Sequence, residues 1–109
     1  MKTVWQAKKQ DIINHIAYSG ADTYPWFRNL SVNTNGSIIC EMATEDDDNS
    51  PVVVAKFSPT YAKEVVNTII KEKKTGWKAV QDAVENDDFD SNASDIVLQH
   101  IVLGDLVFG

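Results

Sequence analysis

The dipeptide Asn35-Gly36, inside "SVNTNGSIICEM", constrains this chain more than any other feature. Asparagine and glycine tolerate left-handed backbone, so the pair reverses a chain between two strands. Its neighbours decide the register. A two-residue loop would pair Val32 with Ile39 and leave Ile38, Cys40 and Met42 on the opposite face. A three-residue loop, Thr34-Asn35-Gly36, pairs Val32 with Ile38 and Leu30 with Cys40. Leu30, Val32, Ile38, Cys40 and Met42 then share one apolar face. A slip of one residue would turn every side chain over, so the sequence predicts the three-residue loop, with Gly36 left-handed in a bulge.

The β-branched run Val52–Phe57 predicts a third strand. Ser58-Pro59 predicts the start of a helix, with Ser58 as cap and Pro59 in the first helical position. Ala62, Val65, Val66, Ile69 and Ile70 form its apolar stripe, Lys71, Lys73 and Lys74 its last turn, and Gly76 its end. Upstream, residues 3–18 predict a helix from the spacing of Trp5, Ile12, Ile13 and Ile16, with Gly20 as its stop. Trp77, Val80, Ala83 and Val84 predict a short helix to about Glu85. Residues 92–103 predict another, capped by Ser91 and ended by Gly104; their nearly continuous apolar run also fits a buried strand. The tail Asp105–Gly109 is expected to pack on the sheet or helices as a short strand.

The expected order is α-β-β-β-α-α-α. It describes an α+β fold: a three-stranded antiparallel meander packed with an N-terminal helix and about three C-terminal helices. At 109 residues the chain is expected to form a single globular domain over 1–109. One cysteine, Cys40, leaves no internal disulfide and no cysteine-rich zinc site. It alternates with Ile38 and Met42 and reads as a core thiol rather than a nucleophile. No apolar run reaches the roughly 18 residues of a membrane span, and the N-terminus lacks a signal-peptide core. A cytoplasmic protein without a membrane partner is expected.

Charge narrows the function. The net charge is −6. Residues 1–78 carry ten bases and nine acids, whereas residues 79–109 carry seven acids and no Lys or Arg. Direct nucleic-acid binding needs a basic footprint and is not expected. The acids gather in two places: Glu45, Asp46, Asp47 and Asp48, then Asp82, Glu85, Asp87, Asp88 and Asp90. The second group almost spells a calcium loop, with Asp88, Asp90 and Asn92 at the first, third and fifth positions. Ala93 stands where the loop needs glycine and Gln99 where it needs glutamate, so no metal is expected. The two histidines, His15 and His100, have no nucleophile arranged with them, and no phosphate-cradling glycine loop is present. The expectation is therefore a binding protein, not an enzyme, without cofactor.

Solvated loops would explain the acids without any partner. The sharper reading is a surface that imitates nucleic-acid phosphates, which follow one another every roughly 1.7 Å along the duplex axis. Such a surface would dock on a basic, nucleic-acid-binding protein. Tyr24 and Trp26, from the aromatic connection "ADTYPWFRN", would be its anchors. The alternative is a homodimer or interaction module using the apolar stretch Ile96–Phe108.

The short acidic chain and its ending "SDIVLQHIVLGDLVFG" resemble small accessory proteins of bacteriophages, a group that includes anti-restriction and anti-CRISPR proteins, several of them DNA mimics. The likeness covers about a seventh of the chain. It carries no shared fold and no functional motif. It implies an inhibitor of a host defence protein, acting in the host cytoplasm.

Overall fold

The computed structural model describes residues 4–108. They form α1 (Lys9–Ala17), a 3-10 turn (Ala21–Thr23), β1 (Phe27–Val32), β2 (Ile38–Ala43), β3 (Val52–Phe57), α2 (Pro59–Lys71), α3 (Trp77–Glu85) and α4 (Ser91–Leu103). The strands make one antiparallel sheet in the order β1-β2-β3. The α-β-β-β-α-α-α meander expected from the sequence is the observed fold.

Val32 pairs with Ile38 and Leu30 with Cys40. The loop between them is closed by Asn33 N–H to Ser37 O at 2.8 Å, and Gly36 is left-handed at φ +89°. This register turns Ile38, Cys40 and Met42 inward, where none has any exposed surface. The opposite face of the sheet is open: Val54 is 58% exposed.

Helix α4 packs against β2, β3 and all three other helices. Every residue from Ala93 to His100 is buried. That position explains the missing polar face, and it settles the earlier ambiguity over 96–103 as helix. Its cap is Asp90 rather than Ser91: the carboxylate accepts the Ala93 N–H at 2.8 Å. Aspartate caps as well as serine, and its charge also suits the helix N-terminus.

Three further boundaries differ from expectation. Helix α1 begins at Lys9, not at residue 3; Thr3 lies outside the described residues. The Trp5 backbone is held at both ends by the Asn67 side chain, N–H to Oδ1 at 2.7 Å and carbonyl to Nδ2 at 3.1 Å. Those groups are therefore unavailable to a helix. The indole is buried against Phe89, ring centres 4.8 Å apart. Helix α2 ends at Lys71, so Lys73 and Lys74 fall beyond its last turn. Lys73 takes the left-handed position at φ +50°. Lys73 and Lys74 N–H groups return to the Ile70 and Ile69 carbonyls at 3.3 and 3.0 Å, which closes the helix in a Schellman motif. Nothing apolar lies between Ile70 and Trp77, so burial gives the helix no reason to continue. Gly76 instead opens α3.

Residues 105–108 of the tail are not a strand, and Gly109 lies outside the described residues. Val107 and Phe108 donate their N–H groups to the Gln99 Oε1, each at 2.8 Å, and the Phe108 carbonyl accepts from Gln99 Nε2 at 3.1 Å. One side-chain amide supplies the partners that a neighbouring strand would have offered. No described helix is long and apolar enough to cross a membrane.

Candidate functional site: an acidic face with an aromatic centre

The first acidic loop is folded on itself. Ser50 Oγ accepts the N–H groups of Thr44 at 3.0 Å and Glu45 at 2.9 Å, and donates to the Pro51 carbonyl at 2.9 Å. Asp47 Oδ1 accepts the Asn49 N–H at 3.0 Å. The β1–β2 register shifts between Phe27 and Asn29, which makes Arg28 the extra residue of a bulge. Its guanidinium reaches the Pro25 carbonyl at 2.6 Å and the Asp47 carbonyl at 3.3 Å. The loop and the aromatic connection are thereby tied together. Pro25, Trp26, Arg28, Glu45, Asp46, Asp47 and Asp48 line a cleft of about 370 Å³.

Beside it, three rings lie nearly parallel. Trp26 stacks on Tyr24 at 4.9 Å and on Phe108 at 5.0 Å, with interplanar angles of 10° and 4°. The Trp26 Nε1–H donates to Asp95 Oδ1 at 2.7 Å, and Gln99 Nε2 donates to Asp95 Oδ2 at 3.0 Å. Asp95 is only 3% exposed. Burial pushes its carboxyl pKa above the usual 3.8, and the two hydrogen bonds oppose that rise. Tyr24, Trp26, Asn92, Asp95, Ile96, Leu106 and Phe108 line a second cleft of about 360 Å³.

The stretch that joins α3 to α4 makes the third part. Asp87 is left-handed at φ +50°. Asp87 and Asp88 N–H groups close on the Val84 and Ala83 carbonyls at 3.2 and 2.9 Å, a second Schellman motif. The Asp87 carboxylate lies 3.6 Å from His15 Nε2. Asp82, Asp88 and Asp90 line a third cleft of about 390 Å³ with Asn86, Asn92 and three alanines.

The first and second clefts share Trp26; the second and third share Asn92. The three clefts thus adjoin at shared residues, a furrow in three parts with one acidic group in each outer part and the aromatic stack in the middle one. Arg28 is the one base lining it. Not every nominated residue contributes equally. Glu45, Asp46, Asp48, Asp82 and Asp88 line it with exposed side chains. Asp47 and Asp90 line it while also holding backbone. Glu85 and Asp87 are exposed but lie outside its lining. Tyr24 and Trp26 are half-buried and serve the fold as well as the furrow.

Sequence reasoning did not place Asp95, Gln99, Asn92 or Phe108 at this site. A signal existed for the first two: an acid and an amide four residues apart inside an apolar helix meet on one face.

Two consequences are measurable. Burial disfavours the ionised Asp95 carboxylate, so the folded state binds its proton more tightly than the unfolded state does. Its contribution is fully present below the unfolded value of 3.8 and is lost as pH rises through the raised folded value. Relative to Asp95→Asn, the wild type should gain stability as pH falls from about 7 to about 4, measured by urea unfolding at a series of pH values. Asp87→Gly should stabilise by about 0.5–1 kcal/mol, because glycine takes left-handed backbone without the side-chain penalty. The pair with His15 lost with it, 3.6 Å long and with an exposed carboxylate, is worth little. A lower urea midpoint would contradict this.

The remaining reactive groups sit elsewhere. Cys40 is fully buried, and burial, then the charges of Asp95 and Glu41, push its thiol up to about 12. His100 Nε2 lies 2.8 Å from the Thr75 carbonyl. Among the described residues, no group of three or more His, Cys, Asp or Glu side chains is placed to hold a metal ion. No protein-family model, curated protein or solved structure matches this chain.

Proposed function

We propose that this is a non-enzymatic acidic binding protein that docks its furrow on the basic surface of a nucleic-acid-handling protein and blocks it, in the manner of phage-type anti-restriction and anti-CRISPR inhibitors. The observation that carries this reading is that the clefts lined by the two acidic groups both adjoin the aromatic cleft through shared lining residues. Carboxylates from two distant parts of the chain flank one aromatic centre, with a single base among the lining residues. Carboxylates displayed in this way compete for the same cations that hold phosphates. The field would speed association and make it salt-dependent, while Trp26 and Tyr24 would provide contact area.

The alternative, an apolar surface over Ile96–Phe108, has less to offer. Ile96, Val97, Leu98 and Val102 are core residues, and exposed Val107 is what the tail leaves outside.

The test uses Asp46, Asp48, Asp82 and Asp88, which line the furrow without capping a helix or accepting a side-chain hydrogen bond from a described residue. The variant D46K/D48K/D82K/D88K should retain the wild-type unfolding midpoint to within about 1 kcal/mol. Immobilised wild type, given nuclease-treated bacterial lysate, should capture a nucleic-acid-binding protein at about 50 mM salt and release it by about 300 mM or on adding duplex DNA. The variant should capture none of it. Equal capture by both proteins would refute the proposal.

A further inference from the structure

We infer that the central cleft receives the guanidinium group of an arginine side chain. The inference deepens the proposal above and rests on it for the source of that arginine, a basic partner.

The argument starts from Asp95. A buried carboxylate normally meets a cation or coordinates a metal. Asp95 meets only two neutral donors, the Trp26 indole and the Gln99 amide, and forms no ion pair with any described residue. A carboxylate offers about four lone-pair directions, so about two remain unused. Asp95 itself lines a cleft of about 360 Å³.

The walls select among cations. Tyr24, Trp26 and Phe108 form a parallel stack along the cleft. A guanidinium is flat, weakly hydrated and forked. It lies against an aromatic ring while donating to a carboxylate. An ammonium is compact and strongly hydrated, and gains less from flat walls. Ile96 and Leu106 offer apolar surface to the aliphatic stem, and Asn92, which also lines the cleft, carries a further acceptor. The acidic clefts on either side would raise the local concentration of any cationic segment.

The test is a titration of the full-length protein, isotopically labelled at its tryptophan indoles, with the blocked peptide Gly-Arg-Gly. Two control peptides carry citrulline, which keeps the shape and lacks the charge, or lysine. The arginine peptide should move the Trp26 indole resonance progressively to saturation, leaving those of Trp5 and Trp77 in place. The citrulline peptide should not move it, and the lysine peptide should bind at least about fivefold more weakly. Asp95→Asn should abolish saturation. Should that variant misfold, Tyr24→Ala, which removes one wall, should weaken binding instead. Equal responses to arginine and citrulline, or none at millimolar peptide, would overturn the inference, and a lysine response equal to that of arginine would overturn the guanidinium assignment. The two proposals fail separately. Partner capture unaffected by the fourfold charge reversal, with arginine still saturating wild type, removes the docking reading alone. Capture lost on reversal, with no arginine response in wild type, removes the pocket alone.

Discussion

Gln99→Leu is expected to destabilise the protein by about 2–4 kcal/mol and to release the C-terminal segment from Trp26. Gln99 is fully buried. Its amide makes four hydrogen bonds: to Asp95 Oδ2, to the Phe108 carbonyl, and from the Val107 and Phe108 N–H groups. Leucine fills a similar space and adds apolar burial. It leaves the buried Asp95 oxygen without its donor, a penalty of about 1–3 kcal/mol or more for a charged group. The tail groups can recover water only by lifting away. Lifting gives up the Phe108–Trp26 stack, worth about 0.5–1.5 kcal/mol beyond its buried area. Urea unfolding reads the stability, and hydrogen exchange at the Val107 and Phe108 amides reads the release. A variant within about 0.5 kcal/mol of wild type, with both amides still protected, would show that the tail is held by its apolar contacts rather than by Gln99.

Gly76→Ala should cost about 2–4 kcal/mol, from two separable causes. The residue opens α3 at φ +85°, where any side chain adds roughly 1 kcal/mol. A Cβ would also lie 2.8 Å from Ile96 Cγ2 and 3.2 Å from its Cδ1. Ile96 is buried on the central helix, and its β-branched side chain has one strongly preferred rotamer there. It cannot swing aside, so the start of α3 must move. Gly36→Ala provides the control. It has nearly the same φ, +89°, but the added Cβ meets the far end of Lys9, 2.4 Å from Cε. A flexible lysine can retreat, so the loss there should stay near 1 kcal/mol. Equal losses at the two sites, by urea or thermal unfolding, would mean that the Ile96 contact has no effect.

These two positions mark where local pattern stopped being informative. Gly76 reads from the sequence as the end of α2. It begins α3 instead because Lys73, a residue with no propensity signal for left-handed backbone, closes the earlier helix. Gln99 sits in the apolar run that fitted a helix or a strand equally well. Its burial, and its grip on a segment eight and nine residues later, exist only once α4 is surrounded. Asn67 acts in the same way on Trp5, across 62 residues of chain. Side-chain amides that bind distant backbone carry no periodicity, so no reading of spacing finds them.

The meander, the register of its first hairpin and the start of α2 are legible in the sequence, because each depends on neighbours: a loop that must reverse, an alternation that must keep one face apolar, a cap followed by proline. So is the negative charge of the C-terminal third. What tertiary packing added is that the two acidic groups line clefts adjoining the same aromatic cleft, and that Asp95 lines that cleft with no ion pair among the described residues. Those facts depend on how the β2–β3 loop, the connection before β1 and the α3–α4 corner come together. Local hydrogen bonds and side-chain alternation are encoded a few residues at a time, whereas the gathering of charges is a property of packing.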